Sequence, residues 1–330
     1  MNRVARIRGT GAYLPEKVLT NQDLEQMVDT SDEWIFTRTG MKERRLAGPD
    51  EFTSGMGAKA ALAAIEDSGL TVDEIDFILV ATLTPDYIFP STACLIQQLL
   101  GAKKAASLDI QAACTGYLYA LSLAKSFIES GAYRHILVVA AEKLSSITNY
   151  KDRSTCVLFG DGASACVVSS EGEGLAIQSV RLGSDGEQAE LLIQPAGGCR
   201  LPASAETVAG DQHYIKMAGN EVFKHAVRRM ESACKECIDA AQIDELDISW
   251  VVPHQANIRI IDAIAKRFKH LSPERVYKTV QKYGNTSASS VGIALHELRK
   301  EQSLQEGERI LLTAFGAGLT WGAALLQAQR

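Results

Sequence analysis

The hydrophobic positions of this sequence form short, almost continuous apolar runs that alternate with amphipathic stretches. Such runs occur in residues 75–84 (IDFILVATLT), 132–144 (AYRHILVVAAEKL) and 161–170 (DGASACVVSS), and their length predicts buried β-strands. Residues 91–101 (STACLIQQLLG) end in a glycine, which is typical of a helix C-terminus. Strands that alternate with helices in this way predict an α/β protein.

The second half of the chain repeats the order of elements found in the first half. Residues 246–268 predict a strand, a turn and a helix, and residues 308–329 predict a strand, a glycine turn and a strand. A charged, glycine-containing segment at 171–174 lies between the two halves. We therefore expect a duplicated unit, residues 1–172 and 173–330, with a ligand site between its halves.

Composition and charge narrow the possible classes of function. The chain has 330 residues, of which 46% are hydrophobic and 22% charged, and its net charge of −6 gives no general attraction to nucleic acid or anionic membranes. No apolar run approaches the roughly 20 residues needed to span a bilayer, and the first eleven residues carry three arginines instead of a signal peptide's apolar core. Seven cysteines without a disulfide-like pattern indicate a reducing compartment. We expect a soluble, cytoplasmic protein.

Cys114 lies where a predicted buried strand, AASLDI (105–110), gives way to a predicted helix, and small residues surround it. The spacing of apolar residues between 118 and 128 indicates that helix. A helix N-terminus has unpaired N–H groups and favours negative charge, so a thiol placed there is expected to have a lowered pKa. The residues alone leave two interpretations open, a nucleophile and a small buried cysteine that fills space.

Three further segments place polar residues or glycines at predicted strand ends. VPHQAN contains His254, YGNTSASS contains Asn285, and FGAGLTWG forms a turn with Gly316 and Gly318. Each is compatible with a structural role, but ligands of open α/β sheets bind at the carboxyl ends of strands. With Cys114 the segments therefore predict acyl transfer: backbone N–H groups at the cysteine and in the glycine turn would stabilise one oxyanion, and His254 and Asn285 would donate to a second.

Cofactor motifs do not account for the remaining cysteines and glycines. Cys234 and Cys237 form one Cys-x-x-Cys pair within a continuous helical pattern, so we interpret both as helix residues and not as metal ligands. FGDG and FGAG lack the third glycine and the following helix of a dinucleotide-binding motif. We expect no metal and no cofactor.

As a set, AACTGYLYALSLA, VPHQANIRII, GNTSAS, FGAGLTWG and the N-terminal GTGAYLPEKVLTNQDLEQMVDTSDEWIFTRTG resemble the β-ketoacyl-[acyl carrier protein] synthase III family. The resemblance runs from about Gly9 to Gly322. It implies a thiolase-like fold, with duplicated βαβαβ halves in a five-layer α-β-α-β-α arrangement, and a homodimer. It also implies initiation of type II fatty-acid synthesis: Cys114 takes an acyl group from acyl-CoA, with acetyl-CoA expected, and the acyl-enzyme condenses with malonyl-acyl carrier protein, which loses CO₂.

The resemblance also implies roles for residues outside the catalytic set. Ala317, where many relatives have a glycine, would provide the second N–H of the oxyanion hole beside Cys114 if its φ allows this. The acyl pocket would contain Phe315, packed against the cysteine, and Phe89, which crosses the dimer interface to the partner's pocket. The residues implied to bind CoA are Thr30, Trp34, Arg38, Arg153, Gly219, Phe223 and Asn257.

The resemblance implies an acidic carrier protein as partner, which would need a local basic patch on this acidic chain. The alternative interpretation is that the basic helix residues form an ordinary charged face in contact with solvent. The candidate helix residues are Lys224, Arg228, Arg229, Arg259, Lys266 and Arg267. Two other functions remain open: a related synthase of specialised polyketides or signal molecules, and a non-catalytic partner subunit. The second predicts loss of the nucleophile, whereas this chain retains Cys114, His254 and Asn285.

Overall fold

A nine-stranded mixed sheet forms the centre of the protein, seen in a computed structural model that describes residues 3–329. The strands are β1 (Arg6–Tyr13), β2 (Lys17–Thr20), β3 (Glu43–Leu46), β4 (Phe77–Ala81), β5 (Ala106–Ile110), β6 (His135–Glu142), β7 (Gly162–Ser169), β8 (Gly174–Ser184), β9 (Leu192–Ile193), β10 (Lys216–Met217), β11 (Trp250–Pro253), β12 (Arg309–Gly316) and β13 (Thr320–Gln329). The helices are α1 (Asn21–Glu25), α2 (Asp32–Thr39), α3 (Thr53–Ser68), α4 (Thr92–Leu100), α5 (Gly116–Ser130), α6 (Arg153–Cys156), α7 (Ala205–Ala209), α8 (Gly219–Ala241), α9 (Ile258–Ala265), α10 (Val280–Tyr283) and α11 (Ser289–Glu301).

The order of the nine-stranded sheet is β11-β12-β13-β8-β1-β7-β6-β4-β5, and the other four strands form two separate pairs, β2 with β3 and β9 with β10. Strands of the first half occupy one side and strands of the second half the other. The two sides join where Arg6 and Ile7 of β1 pair with Ala176 and Leu175 of β8. Residues 171–173 lie in the turn between β7 and β8, and Gly174 begins β8, so the sheet is continuous across the expected boundary between residues 1–172 and 173–330.

Both faces of the sheet are covered by helices, which explains why its strands are continuous apolar runs instead of alternating ones. In β6, Ile136 faces the hydrophobic cluster that contains α5 and α11, whereas Leu137 faces α3 and α4. In β12, Leu312 faces the α5 and α11 cluster, whereas Leu311 faces α8 and α9. The layers are therefore α3 and α4, the first half of the sheet, α5 and α11, the second half, and α8 and α9. This is the five-layer arrangement that the resemblance implies.

One strand differs from the expectation of a buried run. β5 lies at the end of the sheet and pairs only with β4 among the described residues. Its Leu108 side chain is 45% exposed, and so is much of Leu99 in the neighbouring α4. The prediction of a buried strand was wrong because hydrophobicity does not distinguish an internal strand from one that ends a sheet.

The long helix α8 contains Cys234 and Cys237 on its buried face. The Cys237 Sγ atom lies 3.0 Å from the Ser179 hydroxyl of β8. Among residues 3–329, no helix combines the length and hydrophobicity of a membrane span.

The packing of α11 on β7 depends on a glycine. A Cβ atom at Gly292 would lie 2.2 Å from the Ser164 Oγ atom and 3.0 Å from the Tyr117 ring. Gly55 in α3 provides a matched helix position, because a Cβ there would meet nothing within 4 Å.

We expect Gly292→Ala to lower the free energy of unfolding by about 1–3 kcal/mol, because overpacking forces neighbouring atoms apart. Gly55→Ala, the control, should be neutral or stabilising by about 0.5–1 kcal/mol, since alanine has the higher helix propensity. Urea unfolding followed by circular dichroism measures both. A Gly292→Ala variant as stable as the wild type would contradict the close approach of α11 to β7.

Candidate active site

Cys114 lies in a short 3-10 turn, Ala113–Thr115, between β5 and α5. Its side chain is buried, with 7% exposure. The turn between β12 and β13 packs directly on it, because a Cβ atom at Gly316 would lie 2.7 Å from the Cys114 nitrogen. Glycine is therefore required at position 316 to let the two backbone segments meet.

His254 follows β11, and its side chain is fixed by one hydrogen bond. The Nδ1 atom lies 2.6 Å from the Ser290 hydroxyl at the start of α11, so Nε2 is left for a ligand. The Ser290 oxygen also accepts from the Gln255 N–H at 3.3 Å. Burial lowers the pKa of His254 to about 3, and the imidazole is therefore neutral at physiological pH.

Asn285 lies in the loop between α10 and α11, where its backbone N–H donates to Leu158 O at 2.9 Å. Its Oδ1 atom accepts from the Ser287 N–H at 2.8 Å. Because this bond occupies the carbonyl side of the amide, the Nδ2 group is left as a donor. Cys114, His254 and Asn285 line one cavity of about 120 Å³.

The ionisation of Cys114 differs from the sequence-based prediction. The pKa of the thiol is raised from 9.0 to about 12; burial is the main cause, and the nearby Glu142 carboxylate acts in the same direction, whereas the Ser287 hydroxyl acts to lower the pKa. A helix terminus contributes up to about 2 kcal/mol, or about 1.5 pKa units. The prediction of a lowered pKa was wrong because the loss of hydration exceeds that contribution.

A second cavity, of about 340 Å³, lies on another side of Cys114. It is lined by apolar side chains such as Leu144 and Ile215 and by the Ala317 backbone turn. Ala317 does not have a positive φ, so alanine fits this position without strain. Its N–H donates to none of the described residues.

The first cavity extends from Cys114 between the N-termini of α8 and α9. Gly219 and Phe223 of α8 and Asn257, the N-cap of α9, line it. Phe315 also lies on this side and not in the larger cavity. The Arg259 guanidinium lies over the Phe223 ring, 5.3 Å from its centre.

The N-terminal candidates for CoA binding form a separate cluster around Trp34. The guanidinium groups of Arg38 and Arg153 lie 4.8 Å and 4.9 Å from the centre of the Trp34 ring system. Arg153 also donates to Asp29 O at 2.7 Å. The Thr30 hydroxyl is buried and has no hydrogen-bond partner among residues 3–329.

Three of the six basic candidates for carrier-protein docking form ion pairs within the chain. Arg267 is half-buried and pairs with Glu231 and Glu245, at 3.6 Å and 2.7 Å, and Arg229 pairs with Asp185 at 2.9 Å. We exclude both, because their ion pairs are partly buried, whereas the Lys224 ammonium, which lies 2.8 Å from Glu221, stays exposed in a weak surface pair. The exposed candidates that remain are Lys224, Arg228, Arg259 and Lys266.

Phe89 is not buried within its own chain. It is 84% exposed, beside the exposed side chains of Tyr87 and Ile88. It lines neither of the cavities at Cys114.

Comparison with known proteins identifies the family. Residues 108–186 match 3-oxoacyl-[acyl-carrier-protein] synthase III, and residues 238–328 match the C-terminal part of the same enzyme. The chain is 62% identical over 326 residues to the β-ketoacyl-[acyl-carrier-protein] synthase III of Chlamydia caviae, covering 98% of this chain and 97% of that one. The chain belongs to the β-ketoacyl-[acyl carrier protein] synthase III family. It is thus an acyltransferase, a condensing enzyme that initiates type II fatty-acid synthesis.

Solved structures agree with this assignment to the synthase III family. The 3-oxoacyl-[acyl-carrier-protein] synthase III of Aquifex aeolicus is 50% identical, with a TM-score of 0.90 over 98% of this chain and 99% of that one. The priming β-ketosynthase of the R1128 polyketide pathway has the same TM-score of 0.90 but is 36% identical, over 99% and 97% of the two chains. The fold is therefore shared with a polyketide enzyme, and the Aquifex aeolicus synthase has the higher sequence identity of the two.

This synthase contains two site residues that the sequence did not suggest. Glu142, at the end of β6, is fully buried, and its Oε1 atom accepts from the Ser287 hydroxyl at 3.2 Å. Ser287 has a φ of +51°. A carboxylate at the end of an apolar strand was the available signal, but strands often end in a charged residue at the surface.

Proposed function

We propose that Cys114 takes an acyl group from acyl-CoA and that the acyl-enzyme condenses with malonyl-acyl carrier protein. One observation carries this proposal: Cys114, His254 and Asn285 line a single cavity. Among the described residues, His254 has a free ring nitrogen, Nε2, and Asn285 has a free amide group, Nδ2. These are donors for an oxyanion.

The first step forms a thioester on Cys114 and releases CoA. As the sulfur attacks the carbonyl carbon, negative charge develops on the acyl oxygen. The N–H groups of Cys114 and Ala317 belong to backbone segments that meet at Gly316, and we assign them to this oxyanion. No proton donor is needed at that oxygen, because the tetrahedral intermediate collapses when the bond to the CoA sulfur breaks.

The second step uses His254 and Asn285. Ser290 Oγ accepts from a backbone N–H, so its own proton is available for His254 Nδ1, which leaves the imidazole proton on Nε2. With the Asn285 Nδ2 group it would hold the malonyl thioester oxygen while CO₂ leaves. The resulting carbanion attacks the acyl carbon on Cys114, a carbon–carbon bond forms, and the bond to Sγ breaks.

CoA is proposed to reach Cys114 through the cavity between α8 and α9. Gly219 leaves room for the pantetheine chain, and Phe223 and Asn257 would contact it. At the outer end, Trp34, Arg38 and Arg153 would hold the adenine by stacking. The unpartnered Thr30 hydroxyl supports a ligand position nearby. We propose acetyl-CoA as the primer. We also propose the cytoplasm as the location, since the seven cysteines are all free thiols, as expected in a reducing compartment.

A homodimer is proposed from the free edge of the sheet. Among residues 3–329, β5 pairs on one side only, and Leu99, Leu108 and Phe89 are exposed. Exposed strand edges and apolar surface of this kind are normally covered by a partner. A second copy placed there would bring Phe89 toward the larger cavity of its neighbour and limit the length of the acyl group.

We expect Asn285→Ala to keep acyl transfer from acetyl-CoA but to lower malonyl decarboxylation by roughly 10²–10³, the usual effect of removing one oxyanion donor. Cys114→Ala should give the reverse, no acyl-enzyme but residual CO₂ release. Radiolabelled acyl-enzyme and CO₂ are measured separately in each variant. Equal loss of both activities in a folded Asn285→Ala protein would contradict this division of roles.

For carrier-protein docking, we expect Arg259→Glu to raise the KM for malonyl-acyl carrier protein in a salt-sensitive way, because charge steering is screened by salt. Acylation by acetyl-CoA should change little. Lys300→Glu is the control, since it alters net charge equally at the far end of α11 from Ser290. An unchanged KM in Arg259→Glu would remove this residue from the docking surface.

We expect Phe89→Ala to shift primer preference toward longer acyl-CoAs, because a filled pocket tolerates added methylene groups poorly. Tyr87→Ala, which removes another exposed aromatic side chain from the same loop, should leave the preference as it is. Competition between acetyl-CoA and hexanoyl-CoA measures the shift, and sedimentation velocity reports the oligomeric state. A dimer with unchanged chain-length preference would contradict the proposed cap.

A further inference from the structure

The buried thiol of Cys114 requires a proton acceptor, given its proposed role as the acylated residue. Its pKa is raised to about 12 by burial, so the free enzyme holds a neutral thiol that must lose its proton before attack. His254 is poorly suited to accept that proton. Its Nδ1 atom is bonded to Ser290, and burial keeps its pKa at about 3, so a charged imidazolium is unfavourable in this cavity.

Ser287 connects Cys114 to a second buried ionisable group. The Ser287 hydroxyl is near enough to the Cys114 thiol to lower its pKa, and the two residues line the same cavity. The same hydroxyl bonds Glu142 Oε1 at 3.2 Å. A hydroxyl that donates to a carboxylate retains lone pairs for an S–H donor, so Ser287 is placed to accept the thiol proton while it donates its own proton to Glu142.

The other bonds of Glu142 determine where a proton would be held. Its Oε2 atom accepts from Thr82 Oγ1 at 3.2 Å, Leu83 N at 3.1 Å and Thr84 Oγ1 at 2.8 Å. Because three donors already surround Oε2, the remaining position for a proton is on Oε1, which faces Ser287. Burial raises the pKa of this carboxyl to about 7. Both the protonated and the ionised form are therefore populated at physiological pH.

We propose that the Ser287 hydroxyl carries the proton of the Cys114 thiol to the buried Glu142 carboxylate and returns it after condensation. Ser287 lines the cavity beside the reacting sulfur, and Glu142 is a positioning residue that acts through Ser287.

The proton balance of the reaction is complete under this scheme. The thiol proton passes to Ser287 Oγ as the hydroxyl proton passes to Glu142 Oε1, and the thiolate forms the new bond to the acyl carbon. CoA leaves as a thiolate and takes one proton from solvent. When condensation breaks the bond between Sγ and the acyl carbon, the Cys114 thiolate takes back the stored proton. One proton is consumed per turnover, and Glu142 stays neutral beside the decarboxylating malonyl group.

The charged surroundings of Glu142 are simple. Its charge acts on the Cys114 thiol, and its described hydrogen-bond partners are the two threonine hydroxyls, the Leu83 N–H and the Ser287 hydroxyl. Lys143, the next residue, directs its ammonium group to Gly48 O and Glu51 O. No described cation therefore competes for the carboxylate.

The first experiment separates the half-reactions in Ser287→Ala. Acylation from acetyl-CoA should fall by roughly 10²-fold, the lower range of general acid–base effects. Malonyl decarboxylation should fall much less, since the backbone N–H that orients Asn285 is retained. Ser289→Ala is the matched control, because Ser289 is equally buried but bonds only Thr286 O at 2.9 Å. Undiminished acylation in Ser287→Ala would overturn the proposal.

The second experiment measures alkylation of Cys114 by iodoacetamide between pH 5.5 and 9 in the wild type and Glu142→Gln. The wild-type rate should rise through an apparent pKa near the Glu142 value of about 7. In Glu142→Gln that inflection should disappear, and the rate at pH 7.5 should fall by roughly 10²-fold. If Glu142 served only as a nearby negative charge, its removal would lower the thiol pKa and raise the rate, which would refute the proposal.

Peptide mapping of the wild type after incubation with labelled acetyl-CoA distinguishes failure of the proposed function from failure of the proton path. Label absent from Cys114 would refute its role as the acylated residue. Label on Cys114 together with unchanged pH profiles in Glu142→Gln would refute the proton path alone. Thermal melting confirms that Glu142→Gln, which keeps the shape and an acceptor oxygen, remains folded.

Discussion

The contact between Gly316 and the backbone of Cys114 is the constraint on which the site depends. The absence of a Cβ atom at Gly316 lets the β12–β13 turn reach within van der Waals distance of the cysteine turn. Thr115 Oγ1 and Thr320 Oγ1 add a hydrogen bond of 2.6 Å across the same junction. Phe315 and Ala317 flank the contact, so one close approach fixes two cavity walls and a backbone donor relative to the sulfur.

Exclusion of water is the second organising property. Cys114, His254 and Asn285 are each less than one-tenth exposed, and burial shifts both the thiol and the imidazole toward their neutral forms. Neutral donors stabilise a transient oxyanion without the desolvation cost of a permanent charge. The same environment makes proton movement difficult, which is why a second ionisable group beside the sulfur has chemical value.

Sequence patterns were sufficient to predict the strands, the five layers and the polar residues at strand ends, because these features follow from local periodicity and from the resemblance. They were insufficient where an outcome depends on neighbours distant in the chain. The exposure of β5 depends on which strand pairs with its outer side. Arg229 and Arg267 are compensated by acidic residues on other elements. The thiol pKa depends on burial, and the importance of Glu142 depends on Ser287, 145 residues away.

The distance in sequence between the two sides of the Gly316 contact has a consequence for biosynthesis. Thr115 and Thr320 are 205 residues apart, and at bacterial and eukaryotic elongation rates the ribosome needs roughly 10–40 s to cover that distance. Until β12 and β13 emerge, the cysteine turn has no opposing backbone and the face of α5 that they cover is open. A nascent chain therefore carries the sulfur without its surrounding cavity, and acyl transfer begins only after synthesis has delivered the final hairpin.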